Sequence, residues 1–357
     1  MELTSARTIF PPLQTDLPVL LLNNLDWSWP QYDIDQCLQL GDILHEALSS
    51  AGHPVVRDRL EDDKLESLLN KYDPAEQIVF NWCEEVPGIP HSSWMVAREL
   101  GRQGFTYTGA DHPALILSQD KRQVQQRLND FGVLTPVWKI FYSAEEVDWQ
   151  IYPAIVKPAF EHCSLGIVRE SVVECEAELL HRIKYVIGNF QQPALVEEFI
   201  DGREFHVGVI GNEKLLMLPP AEIDFSVFDD IHDRLCTYEA NFVPESFAYQ
   251  NSWARLPIAF TPDELSLMEQ AVLGAYRCTS CRDYARMDVR MRDGKFYILD
   301  VNHNADLSPD NSLIKAAELV GYPYGYFASL LINLAAERHP VFGNKLHRKI
   351  ARIKAPV

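Results

Sequence analysis

Three things are scarce in this chain of 357 residues, and each scarcity excludes a class of protein. No stretch approaches the roughly 20 consecutive apolar residues that cross a bilayer. The opening "MELTSARTIFPPLQTDLP" has no apolar run suited to a signal peptide, so a membrane partner is not expected. Positive charge is in deficit: 32 Lys and Arg stand against 51 Asp and Glu, a formal net charge of −19. No block of basic residues would track a phosphate backbone, so nucleic acid is not an expected partner either. Cysteine is sparse, scattered and odd in number, with seven residues. That argues against a disulfide framework and for a reducing, cytoplasmic setting. The lone CxxC, "CTSC" from Cys278 to Cys281, has no second pair at zinc-ribbon spacing. Internal repeats and low-complexity tracts are also absent.

What is present reads as a multidomain globular enzyme. Hydrophobic residues make up 47% and charged residues 23% of the chain, and the length suggests two or three domains. An N-terminal arm is expected over 1–16. Over 17–112, short apolar strands such as "LPVLLLNN" and "EQIVFNWC" alternate with helical patterns such as "DIDQCLQLGDILHEALSSAG", the mark of a parallel α/β domain. Residues 113–197 read as an α+β unit, beginning with one helix through "ALILSQDKRQVQQRLNDFGV". Residues 198–340 read as a larger unit with an irregular stretch from about Ser226 to Ala259, a strand pair and a terminal helix. The remaining 341–357 form a basic tail.

Four constellations carry chemistry. In "YARMDVRMRDGKFYILDVN", Arg286, Asp288 and Arg290 share one strand face, and Asp300 and Asn302 share a face of the next strand. Asp293-Gly294 marks the turn. A two-residue loop leaves Asp288 and Asp300 on opposite faces. A three-residue loop with a bulge sets them directly across, where they repel unless a cation lies between. Hard oxygen ligands of this kind suit Mg²⁺ or Mn²⁺; the competing reading is solvent-facing acids paired with arginines. In "AIVKPAFEHCSLGIV", Lys157 ends a strand before a polar loop with Ser164, a place where phosphates can be held. In "ALVEEFIDGREF", Glu197 and Glu198 end a strand and Glu204 begins another, so the linker offers donors and acceptors to a purine edge and a carboxylate to ribose. In "SQDKRQVQQRL", Lys121 lies early in a helix. Taken singly, each of the last three also fits an ordinary surface strand, turn or helix.

In order, "DK", "VKP", "SLGI", "VEEFIDGREF", "RMD" and "DVN" resemble the ATP-grasp enzymes, and most closely their D-alanine–D-alanine ligase branch. "FTYTGADHPALILSQDK" is similar to that branch's entry into its central domain, and "TYEAN" (Thr237–Asn241) to a segment of its mobile loop. The resemblance covers roughly 105–335. It implies a three-domain α/β architecture, α+β in the later domains, with ATP held between the central and C-terminal domains. By motif, Lys121 and Lys157 would contact ATP phosphates. Glu197 and Ile200 would bound the adenine hinge, with Glu198 between them, and Glu204 would hold ribose. Asp288, Asp300 and Asn302 would bind Mg²⁺ or Mn²⁺. Arg286 would stabilise the charge on the acyl phosphate and tetrahedral intermediate, and Ser164 would lie in the loop closing over the phosphates. The resemblance also favours a homodimer.

The departures cluster on the substrate side. The branch's N-terminal "GGxSxE", whose Glu anchors an ammonium, is absent, and "LLLNNLDWSWPQYDIDQ" with Asp26, Asp33 and Asp35 stands in its place. Cys163 replaces a serine, Asp300 a glutamate, and "NHNADLSPDNS" replaces "NTxPG". Cys163 and Asp306 are therefore candidate substrate contacts, and by motif Ser312, before the helix "LIKAAELVG", would sit near a substrate carboxylate. The expected function is an ATP- and Mg²⁺-dependent ligase joining a small carboxylate to an amine with a changed substrate. The alternatives are a non-catalytic nucleotide-binding homologue and a kinase of small carboxylates.

Overall fold

The apolar runs near the N-terminus are continuous rather than alternating, as strands covered on both faces require. The structure, a computed structural model, describes Phe10 and residues 12–145, 147–243 and 245–343. Residues 1–9 and 11 of the expected arm and 344–357 of the expected tail lie outside them. Strands β1 (Val19–Asn24), β2 (Val55–Leu60), β3 (Ile78–Trp82) and β4 (Thr106–Tyr107) pair in parallel in the order β2-β1-β3-β4. On β1, Val19 and Leu21 join a core with Leu44 and Leu48 of α1 (Gln31–Ser50). Leu20 and Leu22 face the other way, toward Leu69 of α2 (Leu65–Leu69) and Val96 and Leu100 of α3 (Ser93–Arg102). The strand order reverses between β1 and β3, and the crevice beyond such a reversal is where open α/β sheets take ligands.

The single helix expected after residue 112 is two: α4 (His112–Ser118) and α5 (Lys121–Asp130). Asp120 causes the break. Its backbone is extended, and its side chain accepts the N–H of Arg122 as an N-cap. Lys121 is thereby the first residue of α5, its own N–H bonded to the carbonyl of Ala159 at 3.2 Å.

The second sheet is antiparallel: β5 (Trp138–Phe141), β6 (Ala154–Pro158), β7 (Val172–Val173) and β8 (Ala194–Glu198) in the order β5-β8-β6-β7. Helix α6 (Glu176–Phe190) lays Leu179, Ile183 and Val186 against Val156 and Val196. The third sheet comprises β9 (Arg203–Gly211), β10 (Leu215–Met217), β11 (Ala221–Ile223), β12 (Ala254–Arg255), β13 (Asp283–Arg292) and β14 (Lys295–Asn302). Its order is β12-β11-β9-β13-β14, with β10 on β9. The stretch expected to be irregular holds two short helices, α7 (Tyr238–Phe242) and α8 (Phe247–Asn251).

Helix α9 (Pro262–Cys278) starts on a capping box, in which Thr261 and Glu264 satisfy each other's backbone N–H, with Pro262 at the first helical position. It packs Met268 and Val272 under Val207 and Met287, and Val124 and Leu128 of α5 join the same core. Helices α10 (Ser312–Leu319) and α11 (Tyr324–Ala336) follow. Helix α11 is apolar almost all round, so it must be covered on most sides. Its Leu330, Leu331 and Leu334 pack into the core of Leu21 and Phe80, so the last helix covers the first sheet beside α1. Among the described residues, no helix is long and apolar enough to cross a membrane.

Candidate active site

The β13–β14 hairpin combines features of both registers that the sequence left open. Its turn is the two-residue one: Asp293 and Gly294 have φ of 53° and 71°, and Arg292 pairs with Lys295. Val289 then faces Ile298, but a bulge at Leu299 shifts the register and sets Asp288 opposite Asp300. The opposition therefore needs no three-residue loop, which corrects the sequence reading.

Cations sit on both acids. Arg286 donates to Asp288 through Nε at 2.8 Å and Nη2 at 3.1 Å, and Asn302 Nδ2 reaches Asp288 Oδ2 at 3.1 Å. Lys121 Nζ donates to Asp300 Oδ2 at 2.9 Å, and the N–H of Val301 to Oδ1 at 2.9 Å. Burial alone would raise the Asp300 carboxyl, but Lys121 and Lys157 outweigh it and hold it well below the usual carboxylate range. Two opposed carboxylates with an amide beside them form a hard oxygen set, and the residues fit Mg²⁺ or Mn²⁺.

The remaining predicted residues border the same cleft between the second and third sheets. Lys157 Nζ lies 2.5 Å from Glu197 Oε2, and Gln125 Nε2 donates to Glu197 Oε1 at 2.9 Å. The Glu197 carboxylate therefore reaches back toward the lysine side, while that of Glu198 turns to Arg292 Nη2 at 2.5 Å. Arg290 holds the carbonyl of Ile200 and the carboxylate of Glu204. Cys163 and Ser164 lie in the loop after β6, with φ of 53° and 57°. Gly166 follows at φ 77°, and a Cβ there would meet Phe190 Cζ at 2.7 Å and Pro158 Cγ at 2.8 Å, so only glycine fits. Lys121, Lys157, Cys163, Ser164, Glu197 and Glu198 line the cleft together with Ile200, Glu204, Asp288 and Asp300. Arg286 and Asn302 bond to Asp288 and are not among the residues that line the cleft.

Two of the three substrate candidates, Asp306 and Ser312, are not among the residues that line the cleft. Asp306 accepts from the N–H and Oγ of Ser308, at 2.8 and 2.6 Å, and from Asn311 Nδ2 at 3.1 Å. Ser312 opens α10 with its Oγ 3.4 Å from His206 Nδ1. Of the acids considered for the missing anchor, Asp26 accepts the N–H of Ser28 and of Gly88, and Asp35 accepts from Gln31.

The sequence reading assigned nothing to Glu84, just past the end of β3 at the first sheet's reversal point. Its N–H donates to Asn24 Oδ1 at 3.0 Å. Glu84 is an exposed residue, yet desolvation by the protein around it, and then Asp306, push its carboxyl up to about 7. His162, Gln125, His206 and Cys236 were also missed. Burial, and then Lys121, push the His162 imidazole down to about 4, and its Nε2 is buried with no hydrogen-bond partner among the described residues. His206 and Cys236 approach Glu204, the three offering ligand atoms within 4.8 Å of one another. Strand period could have placed His206 opposite Asp288, its partner in register; nothing local signals Cys236.

The family model "D-ala D-ala ligase C-terminus" matches residues 137–333. The chain is 30% identical over 325 residues to the uncharacterized protein y4sG of Sinorhizobium fredii, covering 88% of this chain and 90% of that one. It is 29% identical over 303 residues to the D-alanine–D-alanine ligase of Aquifex aeolicus, covering 83% and 94%. Its fold is similar to that of the D-alanine–D-alanine ligase from Bacillus anthracis complexed with ATP. There the TM-score is 0.69 at 17% identity, over 92% of this chain and 99% of that one. Motif order, fold and relatives agree, and the chain belongs to the D-alanine–D-alanine ligase-like branch of the ATP-grasp superfamily.

Proposed function

We infer that the protein is an ATP- and Mg²⁺-dependent ligase that joins a carboxylate to an amine through an acyl phosphate. The observation that carries this reading is the opposed pair Asp288 and Asp300, each under a cation, in a cleft shared with Lys121, Lys157 and Glu204. A carboxylate oxygen leaves poorly, so the γ-phosphoryl group of ATP passes to it and ADP departs. The amine lone pair then attacks the carbonyl carbon, phosphate leaves with the C–O bonding electrons, and the amine proton passes to solvent.

Lys121 and Lys157 neutralise phosphate oxygens during transfer. Asp288, Asp300 and Asn302 would hold Mg²⁺, which supplies further neutralisation of the phosphates. Arg286, bonded to Asp288, would stabilise the charge that develops on the tetrahedral intermediate. The loop with Ser164 and Gly166 closes over the phosphates and excludes water, which would otherwise hydrolyse the acyl phosphate. Cys163, Asp306 and Ser312 mark the substrate side, beside the segments that depart from the family's motif pattern. The free cysteines support a cytoplasmic setting, and a homodimer is the assembly that the family resemblance favours.

The test is ADP and phosphate release across a panel of paired amino acids and small carboxylates, with product masses recorded. A condensed product supports ligation. Tight MgATP binding with no turnover of any pair counts against it, and a stable phosphorylated carboxylate would make it a kinase.

A further inference from the structure

Arg290 follows Asp288 by two residues on the same strand face, and it is 2% exposed. All three guanidinium nitrogens have partners. Nε donates to Glu204 Oε2 at 2.7 Å, Nη1 to the carbonyl of Ile200 at 2.9 Å, and Nη2 to the carbonyl of Arg234. The guanidinium also lies 4.5 Å from the ring centroid of Phe199. One side chain thus ties together three pieces of chain: the link after β8, the start of β9 and the segment leading into α7. The second oxygen of Glu204, Oε1, accepts only the weak S–H of Cys236, whose Sγ is 3.2 Å away, and Glu204, Cys236 and Arg290 all line the cleft.

We propose that Arg290 is a positioning residue that sets selectivity for the sugar of the bound nucleotide. By fixing Oε2 of Glu204 it aims Oε1 at the cleft, where a ribose hydroxyl donates to it. By holding the Ile200 carbonyl it sets the spacing between that carboxylate and the base-binding link. A clamped, buried acceptor discriminates against a sugar lacking the hydroxyl, because that sugar leaves Oε1 with only the weak S–H donor of Cys236. A lysine cannot substitute, since its single ammonium lacks the planar fork that reaches three acceptors. The inference rests on the reading of the cleft as the ATP site.

Displacement of trinitrophenyl-ATP measures the binding of ATP, 2′-deoxy-ATP and 3′-deoxy-ATP, each with Mg²⁺, to the full chain. Wild type is expected to prefer ATP over at least one deoxy analogue by tenfold or more. Arg290→Met and Arg290→Lys are expected to reduce that ratio to threefold or less; the lysine variant keeps a charge beside Glu204 and guards against misfolding. A wild-type ratio retained in both variants, or equal weakening of all three nucleotides, overturns the proposal while the ATP-site reading stands. Wild type binding ATP without preference also overturns it. Wild type failing to bind ATP at all overturns both.

Discussion

Asp288 and Asp300 stand directly across a strand pair whose two-residue turn, taken alone, would put them on opposite faces. The bulge at Leu299 changes the parity of one strand and not the other. The site's charge geometry is therefore set by one extra residue in β14, next to Asp300, and not by the turn.

Asp288→Asn keeps the side chain's shape but removes a charge from the proposed metal site. The expected outcome is a loss of apparent Mg²⁺ affinity on the order of 10- to 100-fold, measured by titrating ADP release with Mg²⁺. An unchanged Mg²⁺ dependence would remove Asp288 from the ligand set.

Lys121→Met leaves Asp300 without its partner. Asp300 keeps 31% of its side chain exposed, so the loss is smaller than for a fully buried pair. We expect roughly 1–3 kcal/mol of destabilisation in urea without metal, partly restored by Mg²⁺. A variant as stable as wild type, or one indifferent to Mg²⁺, contradicts the reading of Lys121 as the cationic partner of Asp300.

Glu84 gives a pH signature. Its carboxyl is raised to about 7 in the folded chain from an ordinary 4.5. The folded state therefore binds the proton more tightly than the unfolded state between those values, and this group's effect destabilises the fold as pH rises through that window. Glu84→Gln removes the effect. The melting temperature of the variant relative to wild type is expected to climb from pH 5 to pH 8; a flat difference would mean that the carboxyl titrates normally.

Asp283 is fully buried and accepts from the N–H of Gly109 at 2.9 Å, Asn212 Nδ2 at 3.1 Å and Arg338 at 2.6 and 2.8 Å. It joins the chain just after β4 to β13 and to the end of α11. Asp283→Ala leaves the Arg338 guanidinium with only the carbonyls of Tyr107 and Leu334, and it is expected to lower stability by about 1–3 kcal/mol, read from the urea midpoint. A loss below about 1 kcal/mol would show that the three pieces hold without it.

The fold was legible where local chemistry and periodicity agreed. Thr261, Pro262 and Glu264 announce α9, and Asp293-Gly294 announces the hairpin. The break between α4 and α5 was also signalled, by Asp120, but the apolar pattern ran across it and hid the cap. The Leu299 bulge was not legible as a bulge, because no glycine marks it and the sequence allowed it only with a longer loop. In the cleft, strand period and motif order pointed to Lys121, Asp288 and Asp300. Cys236 is brought there, Gln125 to Glu197 and Glu84 toward Asp306, by packing between distant segments, which one strand or helix cannot reveal. Arg290 was visible on the right face, but its partners at Ile200, Glu204 and Arg234 lie 56 to 90 positions away.

Helix α11 covers a sheet whose strands are synthesised some 220 to 310 residues earlier, as the spans of α11 and β1 to β4 show. During translation the first four strands leave the ribosome with one apolar face incomplete. They wait for nearly the whole polypeptide before Leu330, Leu331 and Leu334 arrive to shield Leu21 and Phe80. Contacts this remote in sequence form slowly, and the exposed face is prone to association in the interval. A truncation before Tyr324 should therefore yield aggregates rather than a smaller folded domain.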